Sequence, residues 1–242
     1  MNDLFIKKIE INTNEFPNNN IHPFNIDIIK NFKTLELTKN VTFIVGENGV
    51  GKSTFIEALA IACGLNAEGG TGNFMFTTRE TDYGLSNYIK IDHFQRRVET
   101  KFFLRAESFY NVASEIERLG VSGYGKKNLH QVSHGESFIQ LVENRFTKNG
   151  LYILDEPEAA LSPSRQMTLL YLINELAHQG CQFIIATHSP ILISYREGEI
   201  LDLNNNFKQI NYEDTEIYRT YKMYLERPYE MQKRLFDIDE EY

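Results

Sequence analysis

At 242 residues with 42% hydrophobic side chains, the chain suits one large domain or two small lobes around a real core. Its net charge of −8 argues against a generally basic nucleic-acid coat; Lys7-Lys8, Arg96-Arg97 and Lys126-Lys127 read as solvated pairs, and only a local patch stays open. No stretch approaches the roughly 20 apolar residues of a membrane span, the N-terminus lacks a signal-peptide core, and Cys63 and Cys181 read as buried core residues, so a soluble cytoplasmic protein is expected.

Residues 4–11 alternate as a strand, and the Asn-rich 12–20 with Pro17 reads as a connection. Residues 24–37 mix short apolar runs with polar ones. An aromatic that stacks on a base would come from here; Phe24 and Phe32 are the candidates, with plain core as the commoner reading. Val41-Thr42-Phe43-Ile44-Val45 reads as a buried strand and 55–62 as the helix that follows it. Residues 64–72 are small and polar, a loop. Segments 88–91 and 98–104 are expected strands, 108–119 a helix and 120–127 a loop. Neither an internal repeat nor a sustained heptad pattern is present.

The second half is more regular. Ser133-His134-Gly135-Glu136-Ser137 precedes a helix with Phe138, Leu141, Val142 and Phe146 on one side. Residues 151–154 form a strand that ends in Asp155-Glu156-Pro157-Glu158. Ser164 is the expected cap of a helix with Met167, Leu170, Ile173 and Ala177 at helical spacing, ended near Gly180. Residues 181–186 make another buried strand, closed by Thr187-His188-Ser189-Pro190. Residues 199–203 and 207–210 read as a hairpin. In the tail, Tyr218, Tyr221, Tyr224 and Leu225 fall at helical spacing, a stripe that reads as core packing. Strands separated by helices predict an α/β fold with a mainly parallel sheet covered on both faces.

The chemistry starts at Gly46-Glu47-Asn48-Gly49-Val50-Gly51-Lys52-Ser53-Thr54. Between a strand and a helix, this is the G-x-x-x-x-G-K-S pattern of a phosphate-cradling loop. Its glycines let consecutive N–H groups face an anion, and the helix beginning near Lys52 adds its positive end. Lys52 can reach the β- and γ-phosphates, and the Ser53 hydroxyl can hold Mg²⁺. The bland alternative is a glycine-rich turn with a chance lysine. Asp155, at the carboxyl end of an apolar strand, is the second candidate for Mg²⁺. Glu156 is placed to polarise an attacking water. His188, at the end of the next strand, can donate to the γ-phosphate. The same residues otherwise read as an acidic strand end and a surface histidine.

The phosphate loop, Ser133-His134-Gly135-Glu136, Asp155-Glu156-Pro157-Glu158, Ala159-Ala160-Leu161-Ser162 and Thr187-His188-Ser189-Pro190 follow the order found in ABC-type ATPases. With Phe103-Leu104-Arg105-Ala106-Glu107-Ser108 added, the chain resembles the small stand-alone bacterial ATPases of the AAA, Rad50/SMC-like group over almost its whole length. That resemblance implies a nucleotide-binding core at 1–63 and 148–212, a signature lobe at 64–147 and a helical extension at 213–242, with an antiparallel β part at the N-terminus. It also implies a head-to-tail homodimer closing on two ATP molecules. Ser133, Gly135 and Glu136 of one chain would face the nucleotide of the other, and residues 159–162 would cross between the sites. His188 would sense the γ-phosphate. The sequence departs from the group's pattern in two places. His134 replaces a signature glycine, and the hinge glutamine has no clear match; Glu107 stands at a comparable strand end as a candidate for Mg²⁺ or water. Slow or partner-dependent turnover is implied. The output, by the same resemblance, is control of DNA or of a protein partner; a transporter motor and a non-hydrolysing, ATP-gated module are the alternatives.

Overall fold

The computed structural model describes residues 4–66, 84–93, 96–107 and 134–236. Val41–Val45 (β3) is buried at every position. The cause is pairing at both edges as well as cover on both faces. β7 (Gln182–Ala186) and β8 (Glu199–Asp202) flank it, both parallel to it. β6 (Gly150–Asp155) pairs with β7, and β5 (Thr100–Arg105) with β6, again in parallel. β9 (Lys208–Ile210) closes the hairpin antiparallel to β8, so the order is β5-β6-β7-β3-β8-β9.

Strand alternation divides this sheet between two cores. On one face Ile44, Ile153 and Ile184 pack with Phe55, Ile56 and Leu59 of the helix Lys52–Ala62, counted as α2 after the short α1 (Asp27–Lys30). On the other, Phe43, Leu154 and Ile185 meet Phe138 and Leu141 of α3 (His134–Arg145), and Leu169 and Ile173 of α4 (Pro163–His178). The expected parallel sheet with helices on both faces is therefore observed, and so is the antiparallel part. β1 (Ile6–Ile11) lies between β2 (Thr34–Glu36) and β4 (Ile89–His93).

Gln182 fastens this small sheet to the large one. Its side chain accepts from the Ile6 N–H at 2.8 Å and donates to the Ile6 carbonyl at 2.8 Å, in place of a paired strand. Both residues are buried. Gln182→Ala leaves a backbone donor and acceptor without partners, at about 1–3 kcal/mol each. Chemical denaturation is expected to show a loss of about 2–6 kcal/mol; a loss under about 0.5 kcal/mol, the scale of an ordinary surface change, would refute the fastening role.

Several local expectations change. Tyr88 closes a 3-10 turn ahead of β4 rather than opening the strand. α4 begins with Ser162 as N-cap and Pro163 at its first position, so Ser164 lies inside the first turn; proline's fixed φ and missing N–H suit that position. Its buried face runs through Leu169, Ile173 and Ala177, whereas Met167 is 57% exposed. α3 already includes His134, Gly135 and Glu136. The tail does form helices, α5 (Glu216–Glu226) and α6 (Pro228–Leu235), but no residue of either is buried. Tyr221, Tyr224 and Leu225 face outward instead of forming core, because α5 meets the body of the fold along another face, where Ile217 packs on the core and Tyr218 on Tyr212. Ser133, Lys126-Lys127, the helix and loop expected at 108–127 and most of the 64–72 loop lie outside the described residues. Cys63 and Cys181 are buried and free, as expected. Among the described residues no helix is long and apolar enough to cross a membrane.

Candidate active site

Three parallel strands, β3, β6 and β7, deliver the chemistry to one edge of the sheet, at their carboxyl ends. β3 runs into the glycine-rich loop. Gly49 and Gly51 have φ of +81° and +106°, the left-handed region that side chains rarely adopt. At Gly51 a Cβ would also stand 2.9 Å from Ile26 Cγ2, so the glycine is required twice over. α2 then starts at Lys52, with its first N–H groups directed at the loop. Val50 packs against the core beside it, and Glu47, Asn48 and Gly49 are exposed. Thr54 is half-buried in the first turn of α2.

The Lys52 ammonium is buried and folded back on the loop, donating to the Gly46 carbonyl at 2.9 Å and the Glu47 carbonyl at 2.8 Å. Burial lowers its pKa, opposed by the nearby charges of Glu156, Asp155 and Glu158. Ser53 Oγ donates to Asp155 Oδ1 at 3.2 Å, although 102 residues separate them. Those two hard oxygen ligands are a fitting start for Mg²⁺, which takes few protein ligands and completes its shell with phosphate and water.

Asp155 ends β6 with 2% exposure. Burial and the Glu156 charge push its carboxyl up, while Arg105 and the Ser53 bond pull it down; the result is about 7. The sign of the stability effect follows. Between the unfolded value near 3.9 and about 7 the native state holds a proton that the unfolded chain has lost. Stability from this group is therefore fully present at low pH and is lost as pH rises through that window. Without nucleotide, Asp155→Asn is expected to gain melting temperature relative to the parent between pH 5 and pH 8, by several degrees. A relative loss over that range would contradict this.

Glu156 adopts φ 48°, ψ 51°. A non-glycine residue held there costs about 1–3 kcal/mol and persists only where its surroundings fix it. Here its N–H donates to the Ala186 carbonyl at 2.9 Å, its carbonyl accepts from Ala159 N at 3.0 Å, and Pro157 follows. The bend turns the Glu156 carboxylate away from Asp155 and toward His188, with Oε1 3.7 Å from Nε2. That Nε2 is buried and makes no hydrogen bond. Burial and Lys52 lower the pKa of His188 against the pull of Glu156, so the ring is neutral near pH 7.

Glu158 is the member of this strand end whose task is not visible from its position in the chain. Its carboxylate accepts from Thr187 Oγ1 at 2.7 Å and from the His188 backbone N–H, and so fixes the loop that carries His188. Burial raises its pKa, and those bonds lower it. A second tie runs through Gln166, which donates to the Leu161 carbonyl at 3.0 Å and accepts from Ser189 Oγ at 2.6 Å. Residues 159–162 and the His188 loop are thereby held at both ends. Spacing could not reveal either link, since each depends on how strands order in the sheet.

Other candidates sit elsewhere. Gly135 presses on the turn Pro157–Ala160 and on α4, where a Cβ would come within 2.9 Å of the Ala160 carbonyl and of Arg165 Cδ. Glu136 pairs with Arg165 at 3.8 Å. Glu107 is 78% exposed and pairs with Arg105 Nη2 at 3.6 Å. The structure thus turns it to Arg105 rather than to Ser53. Phe24 and Phe32 are core: Phe24 packs on Phe16 and Tyr88, and Phe32 on Phe55 and Phe207. A cleft of about 560 Å³ opens beside the loop, lined by Gly46, Glu47, Asn48, His188 and residues of α5.

Comparison with known proteins gives the family. Residues 41–131 and 145–194 match the family model described as "AAA domain, putative AbiEii toxin, Type IV TA system". A protein of Methanothermobacter marburgensis named "Putative ABC transporter ATP-binding protein" is 28% identical over 171 residues, which cover 61% of this chain and 60% of that protein. The energy-coupling factor transporter ATP-binding protein EcfA of Methanothermobacter thermautotrophicus is 24% identical over 229 residues, 81% of this chain and 72% of its own length. The solved SMC head domain from Thermotoga maritima aligns at 14% identity with a TM-score of 0.44, over 82% of this chain and 95% of that one.

Proposed function

The chain belongs to the AAA-domain family whose model it matches and is an ABC-type P-loop ATPase, and from that premise we propose that it hydrolyses ATP in a Mg²⁺-dependent reaction between two copies of itself. The observation that carries this reading is the Ser53–Asp155 contact, which joins the phosphate loop to the strand end beside Lys52, Glu156 and His188. The N–H groups of residues 46–54 bind the phosphates, and Lys52 exchanges the Gly46 and Glu47 carbonyls for phosphate oxygens. Ser53 and Asp155 would hold Mg²⁺, which when bound would offset charge on the phosphates. Glu156 takes the proton of the attacking water, and the neutral His188 donates through Nε2 to a γ-phosphate oxygen. Glu158 keeps His188 in place. Residues 1–63 and 148–212 are the nucleotide-binding core, 64–147 the signature lobe and 213–242 the extension.

In the assembled pair, Ser133, Gly135 and Glu136 of one copy complete the site of the other. ATP then acts as a removable contact whose loss resets the conformation. The object of the cycle is DNA or a partner protein, a reading that rests on resemblance to the Rad50/SMC-like group. The names of the relatives favour a second reading, the motor subunit of a transporter; stable copurification with a membrane protein would favour it. Phosphate release by the purified chain, with Mg²⁺ and with EDTA, tests hydrolysis. Tight ATP binding without any release in Mg²⁺ would overturn it in favour of an ATP-gated module.

A further inference from the structure

Arg105 ends β5 directly opposite Asp155 in the parallel register. Its guanidinium lies among three carboxylates, one from α2, one from β6 and one from the turn that follows β5. Nη1 donates to Glu57 Oε2 of α2 at 2.9 Å, Nη2 stands 3.6 Å from Glu107 Oε2, and Nε stands 3.4 Å from Asp155 Oδ2. Asp155 Oδ1 is the oxygen that accepts from Ser53. One carboxylate thus faces the phosphate loop with one oxygen and a fixed cation with the other. The bond to Glu57 is well formed, but the buried Nε makes no hydrogen bond. Contact with Asp155 is therefore an ion pair without directional bonding, held by a side chain anchored elsewhere.

We propose that Arg105 is a built-in counter-ion for Asp155, a positioning residue that neutralises the carboxylate before nucleotide arrives and yields it to the divalent cation. This deepens the Mg-ATP reading above and rests on it. A buried carboxylate without a countercharge is costly, and the guanidinium supplies that countercharge. When a divalent ion shares Asp155, the same guanidinium becomes a like charge beside it. Arg105 and the metal then oppose each other, whereas a mere strut would support the site equally with and without metal.

The test compares the parent chain with Arg105→Gln and Arg105→Lys at pH 8.5, bound to a non-hydrolysable ATP analogue in EDTA or in Mn²⁺. In EDTA, Arg105→Gln is expected to melt several degrees lower. Mn²⁺ restores at least half of that loss, and Mn²⁺ affinity read by electron paramagnetic resonance rises several-fold. Arg105→Lys returns both readings toward the parent, and keeps the test open should the glutamine variant fold poorly. An equal melting loss in EDTA and Mn²⁺, or weaker Mn²⁺ binding in Arg105→Gln, would overturn the proposal. Asp155→Asn separates the two layers. If it leaves Mn²⁺ affinity untouched, the Mg-ATP reading itself fails. If it abolishes Mn²⁺ binding while Arg105→Gln fails to tighten it, the Arg105 role alone falls.

Discussion

Glu156→Gln is expected to bind ATP like the parent chain and to hydrolyse it about 10²–10⁴-fold more slowly, the range lost with a general base. The substitution keeps the size and hydrogen-bonding capacity of the side chain and removes its basicity. Backbone strain at φ 48° is unchanged, since glutamine bears the same Cβ. The bonds from Glu156 N to Ala186 and from Ala159 N to the Glu156 carbonyl are main-chain bonds and remain. Single-turnover kinetics with radiolabelled ATP separates the two effects. A normal rate would remove Glu156 from the chemistry and leave its strained backbone unexplained.

Lys52→Ala is expected to weaken ATP binding by about 2–5 kcal/mol, roughly thirty-fold to several thousand-fold, as when one partner of a desolvated charge pair is removed. Lys52 is 4% exposed as a residue and its ammonium is bonded to two carbonyls, so phosphate meets a charge with little hydration left to lose. In the nucleotide-free chain its two carbonyl bonds also tether the loop. Melting temperature without nucleotide should therefore fall slightly, while the stabilisation that ATP confers should largely vanish. Parental affinity in isothermal titration would contradict the phosphate-binding role of Lys52.

Some of this site is plain in the sequence and some is not, for physical reasons. The phosphate loop is legible because its glycines answer a local demand: Gly49 and Gly51 need positive φ, and helix α2 must start at Lys52. Asp155 is legible because an apolar strand running straight into carboxylates is costly without a task. The partner of each is not. That Ser53 meets Asp155, that Arg105 stands opposite Asp155 and that Glu158 grips the His188 loop all depend on the order β5-β6-β7-β3. Periodicity also marks a helical face without saying what covers it. It places Tyr221, Tyr224 and Leu225 on one side of α5, and there they stay exposed. On α4 the same reasoning takes Met167 for core where Leu169 is buried. Gly135 shows a glycine with two demands upon it. Its close approach to the Ala160 carbonyl explains the residue locally, independent of any phosphate in a second copy.

Whether a second copy completes the ATP site is tested by the solution mass of Glu156→Gln, measured by light scattering after gel filtration. A site shared between two copies gives a monomer without nucleotide or with ATP in EDTA, and a dimer with Mg-ATP. A chain that binds Mg-ATP tightly and stays a monomer at every concentration would contradict it.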